Sequence, residues 1–80
     1  MEQGTSVISL KYDPIADAAY ISLAQNVADG EAVRQLEIAD SELPAHVILD
    51  LDKGGYLLGV EVLGAKKLLR PDTLKKASRY

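Results

Sequence analysis

Four aspartates stand at spacings that could do chemistry. Asp13 and Asp17 are four residues apart, one helical turn. As a facing pair they could share a cation or divide the work of general acid and general base. Asp50 and Asp52 are two apart in a β-branched, apolar run, which places both on one face of a strand. Together they could hold Mg²⁺. With Glu61 they suggest a glycosidase-like pair of carboxylates, which requires ~5–10 Å between them.

Each of these acids also has a quieter explanation. Asp13 precedes Pro14, the order of a helix N-cap and its first residue. Asp17 can close the same turn back toward its own backbone. Asp52 opens Asp52-Lys53-Gly54-Gly55, and the first position of a type I turn favours Asp. Mg²⁺ sites usually add substrate phosphates. The glycines here, Gly54, Gly55, Gly59 and Gly64, fit neither the Walker nor the dinucleotide spacing. Gly55 suits the left-handed position of a G1 bulge. Gly59 in mid-strand predicts a bulge or a large neighbour lying across it. His46 has no Ser or Cys motif beside it, so a nucleophilic triad lacks support. The expectation is no catalytic residue, no cofactor and no metal ligand, with Asp13, Pro14, Gly55 and Gly59 as structural residues. A metal-binding or small-enzyme reading on Asp13, Asp17, Asp50 and Asp52 remains the alternative.

Composition sets the bounds. Eighty residues allow one domain, taken as residues 1–80. With 48% hydrophobic and 26% charged residues, the chain has the makeup of a folded protein and not of a disordered one. The absence of cysteine excludes disulfides and Cys-ligated metals, and one histidine excludes a multi-His site. Residues 1–6 carry no basic residue and lack the start of a signal peptide; they are expected to be flexible. No apolar run approaches the ~18 residues of a membrane span, so a cytoplasmic protein with no membrane partner is expected.

The net charge of −3 hides a division. Residues 65–80 hold six basic side chains against Asp72, whereas residues 1–64 hold three basic and eleven acidic ones. The basic tail lacks interleaved aromatics apart from Tyr80. It reads as a solvated helix face, so nucleic acid is not expected as a partner.

The elements that must position these residues are mostly strands. Ile8, Leu10 and Tyr12 alternate with Val7, Ser9 and Lys11, and Ala19, Ile21 and Leu23 alternate with Tyr20 and Ser22. Between the two strands, residues 14–18 predict one helical turn. Val33–Ile38 is a third strand, and 39–45 is a polar loop broken by Pro44. His46–Leu51 and Tyr56–Leu63 predict a hairpin around Asp52-Lys53-Gly54-Gly55. Setting Asp52 opposite Tyr56 and counting back pairs Asp50 with Leu58, Leu49 with Gly59 and Ile48 with Val60. That register puts Glu61 on the face away from Asp50 and Asp52. It also leaves both faces of the hairpin apolar. Ala65–Leu69 predicts a short helical turn, and Pro71 restarts a helix of ~8 residues, too short to stand alone.

Three ordered motifs carry a resemblance. They are Tyr12-Asp13-Pro14-Ile15-Ala16-Asp17-Ala18-Ala19-Tyr20-Ile21, Ile48-Leu49-Asp50-Leu51-Asp52-Lys53-Gly54-Gly55 and Leu58-Gly59-Val60-Glu61-Val62-Leu63. From about Leu10 to Leu74 the chain resembles domain of unknown function 2283, a family of small bacterial proteins (YuzE-like). It departs from the usual pattern at Ala19, where a larger apolar residue is typical, and at Gly54, where an acid or Asn is. The resemblance implies a small antiparallel sheet with a C-terminal helix and implies no activity. Some relatives look like partners of small toxin-like proteins encoded next to them, which implies an antitoxin-like role.

The expected fold is therefore α+β: an antiparallel meander of about four or five strands, a helical turn between the first two, and a C-terminal α-helix. The expected function is a non-enzymatic protein-interaction module with a toxin-like partner. A homodimer is also expected, because a single short helix covers only one of two apolar faces.

Overall fold

The computed structural model describes residues 8–24 and 27–79. The expected flexible N-terminus lies outside the described residues. Six strands form one sheet: β1 (Ser9–Asp13), β2 (Ala18–Ser22), β3 (Arg34–Glu37), β4 (His46–Leu51), β5 (Leu57–Leu63) and β6 (Ser78–Arg79). A 3-10 turn, Ala65–Lys67, and a short helix α1, Pro71–Lys75, lie between β5 and β6.

The α+β expectation fails on topology and on helix content. The strand order is β3-β4-β5-β2-β1-β6, so the chain does not run as a meander: β5 inserts beside β2, and β3 lies at the far edge. The sheet is mixed, because β6 pairs parallel to β1 while the other pairings are antiparallel. The C-terminal helix of ~8 residues is absent. Pro71 does start a helix, with Asp72 in its first turn, but it ends after five residues. Ser78 and Arg79 then pair with Lys11 and Tyr12. An unpaired edge offers a row of backbone donors and acceptors, whereas a helix this short gains little from extension. The turn between β1 and β2 is not helical either; residues 14–17 are hydrogen-bonded turn, with Asp17 at φ 53°.

The β4–β5 hairpin shows where counting from the turn goes astray. At the turn end the expected register holds: Asp52 N–H donates to the Tyr56 carbonyl, and Leu51 faces Leu57. One step further Asp50 faces Gly59, then Leu49 faces Val60 and Ile48 faces Glu61. The irregularity falls at Asp50/Leu51, and Leu58 is the extra residue. A bulge of this kind shifts every later pair by one, which exchanges the faces of a strand. The two apolar faces of the expected hairpin thereby become one. Leu36, Leu49, Val60, Ile21 and Leu10 form a continuous cross-strand row, with Val47, Val62, Ala19 and Tyr12 beside it. The opposite face collects Gln35, Glu37, His46, Asp50, Glu61, Tyr20 and Lys11, with Ile48 and Leu63 among them.

The core sits at the β1–β2–β5 end of the apolar face. Tyr12, Ala19, Val62 and Ala65 are buried there, with Leu68, Leu69, Leu74 and Ala77 packed over them. The segment after β5 thus serves as the lid. Toward β3 the apolar side is more open: Leu36 and Ile38 are about 40% exposed, whereas Leu49 and Val60 are half-buried and Val60 packs against the core. Within the 27–45 stretch, Arg34–Glu37 join the edge of the sheet as β3 and so widen the apolar face.

Candidate functional site

The Asp13–Asp17 turn is the first place where sequence-predicted acids meet. Asp13 Oδ1 accepts from the backbone N–H of Ile15 at 3.0 Å and of Ala16 at 3.4 Å. Asp17 does not close back on its own turn. Its Oδ1 accepts from the Tyr12 hydroxyl at 2.8 Å and from the Lys66 N–H at 3.0 Å. Its carbonyl accepts from the N–H groups of Gly64 and Ala65 at 2.9 and 3.0 Å. Asp tolerates the left-handed backbone better than most residues, and this conformation lets one residue clamp the start of the lid segment. The Tyr12 pKa is raised above 10.0, first by burial, then by its hydrogen bond to the Asp17 carboxylate and the charges of Asp17 and Asp13; Arg79 opposes them.

The second cluster lies on the polar face. Asp50 is buried and satisfied: Tyr20 Oη donates to Oδ2 at 3.1 Å, and Gln35 Nε2 donates to Oδ1 at 2.9 Å. Tyr20 reaches it by crossing Gly59. A Cβ there would sit 2.1 Å from the tyrosine oxygen and 2.8 Å from the Ile21 carbonyl. Both features expected of a mid-strand glycine, a neighbouring bulge and a large ring across it, are present. The sequence could point to a ring through Gly59, but not to which one. Gln35, in a motif-free stretch, left no signal.

Glu61 shares this face with Asp50, contrary to the expected register, and lies opposite both Ile48 and Tyr20. Asp52 belongs to the turn: its Oδ1 accepts from the N–H of Gly54 and of Tyr56, each at 2.9 Å, and Gly55 takes φ 87°. His46 Nδ1 and Glu37 Oε2 meet at 2.8 Å on the surface. Among the described residues no three metal-ligating side chains gather. All four candidate aspartates accept hydrogen bonds that hold turns, the lid or Tyr20 in place.

A family model described as a protein of unknown function (DUF2283) matches residues 9–66. The chain belongs to the DUF2283 family. No curated protein and no solved structure is matched. The DUF2283 span takes in β1 to β5, the Asp17 clamp and the Tyr20–Asp50 contact, and stops at Lys66. Helix α1 and strand β6 lie beyond it. No helix among the described residues is long and apolar enough to cross a membrane.

Proposed function

We propose that this DUF2283 chain is a non-enzymatic protein-interaction module that docks through the open end of its apolar face, and that a second copy is the occupant. The supporting observation is the open β3 edge of the apolar face, where Leu36 and Ile38 are exposed beside half-buried Leu49. Three strands at ~4.8 Å spacing and about five residues of ~3.3 Å make a patch of roughly 200–300 Å², comparable to the largest patch on a typical monomer, which is often a functional surface. Burying ~300 Å² on each copy would contribute roughly 15 kcal/mol, against association costs of ~4–15 kcal/mol. That balance describes a reversible dimer. Charge favours this face over the other. Glu37, Asp50 and Glu61 all lie on the polar face, where two acidic bodies would repel, while the apolar row carries only Arg34 at its edge. A toxin-like protein is the rival occupant, and the family resemblance is its only support.

Sedimentation equilibrium of the purified chain over micromolar to millimolar concentration tests the reading. The expected mass rises from 8.6 kDa toward twice that value. Leu36→Asp, on the edge strand, should hold the monomer mass without unfolding the sheet. A monomer throughout would overturn self-pairing.

A further inference from the structure

A second feature lies at the far end of the same face, where the lid meets the β1–β6 edge. Here a groove of about 390 Å³ runs between strand and lid. Its floor is apolar: the Tyr12 ring, Leu69, Pro71 and Leu74. Its rim carries three cations, Lys66, Lys75 and Arg79. All three are exposed, and neither ion pair among the described residues, His46–Glu37 or Arg70–Asp72, involves them. The early end of the lid sets Lys66, α1 sets Lys75, and β6 sets Arg79 opposite Tyr12. Of the acids adjoining the lining residues, Asp17 is engaged through Oδ1 by the Tyr12 hydroxyl and the Lys66 N–H, Asp72 by Arg70, and Asp13 by its own turn.

We infer that this groove binds a small anionic amphiphile, a carboxylate on a short apolar stem, with the stem along Leu69 and Leu74 and the head group among Lys66, Lys75 and Arg79. The volume falls in the range of small-molecule sites, which pair apolar walls with a few placed polar groups. Cations around an apolar floor select against neutral stems, which gain no charge contact, and against bare anions, which bury no surface. The inference goes beyond the docking face and does not rest on it.

The test follows amide shifts of the full chain during titration with octanoate below its micelle concentration, with octanol and acetate as controls. Octanoate should give saturable shifts at Lys66, Leu69, Leu74 and Arg79. Octanol should bind at least about tenfold more weakly, a difference of ~1.4 kcal/mol, and acetate should not saturate. Arg79→Gln with Lys75→Gln should weaken octanoate by a similar factor while leaving amide shifts of β4 and β5 in place. Three results overturn the proposal: equal affinity for octanol, octanoate shifts centred on Leu36 and Leu49, and binding confined to phosphatidylglycerol vesicles with no response to the free acid.

Discussion

Gly59 and Tyr20 show how much one missing side chain can decide. The ring fills the space a Cβ would take and thereby reaches Asp50. Gly59→Ala should destabilise the fold by about 1–3 kcal/mol, the usual cost of overpacking. At this chain length that is a fall of roughly 4–8 °C in Tm for each kcal/mol. In a Tyr20→Ala background the loss should shrink without vanishing, because the Ile21 carbonyl also crowds the position. A thermal-melt double-mutant cycle checks the coupling. Tyr12 makes a pH prediction at the same scale. Its folded pKa is raised, so the folded state holds the proton more tightly than the unfolded chain does. The stabilisation is complete below the ordinary value of 10.0 and is lost as pH rises through the raised folded value. Urea midpoints should therefore fall more steeply as pH rises above 10.0 in the parent protein than in Tyr12→Phe.

At the scale of elements, the strands were legible because alternation and turn chemistry are local. The hairpin turn was legible for the same reason, since Asp52 and Gly55 are suited to its backbone. The register beyond the turn was not. Leu57, Leu58 and Gly59 give no local sign of which residue is extra, and a shift of one moves Glu61 to the other face. Cross-strand NOEs should connect Ile48 with Glu61 and not with Val60. The C-terminal segment misled for a different reason. Pro71 and Asp72 are sound helix-start signals, but the pairing that follows the helix is with β1, 67 residues earlier in sequence. Asp17 was misjudged likewise, because its partner at Lys66 is remote. Its role predicts a graded series. Asp17→Asn keeps an acceptor and tolerates positive φ, so it should cost little. Asp17→Ala loses both contacts of the side chain and strains the backbone, for about 2–4 kcal/mol. Denaturant unfolding of the two variants separates clamp from spacer.

For the whole molecule, the bulge and the edge strand act together. The bulge gathers most of the hairpin's aliphatics on one side and leaves Ile48 and Leu63 with its acids on the other, and β3 extends the apolar side beyond what the lid covers. Asp13, Asp17, Asp50 and Asp52 hold turns, the lid and Tyr20 in place, and the Leu36 end of the apolar row is the face proposed to dock. Methyl relaxation with a soluble nitroxide, at micromolar and millimolar protein, reads that row directly. The methyl groups of Leu36 and Ile38 should be broadened by the probe in dilute solution and protected at high concentration, while Ala18 on the polar face changes little. Equal exposure of Leu36 and Ile38 at both concentrations, or protection that appears on the polar face, would contradict the account.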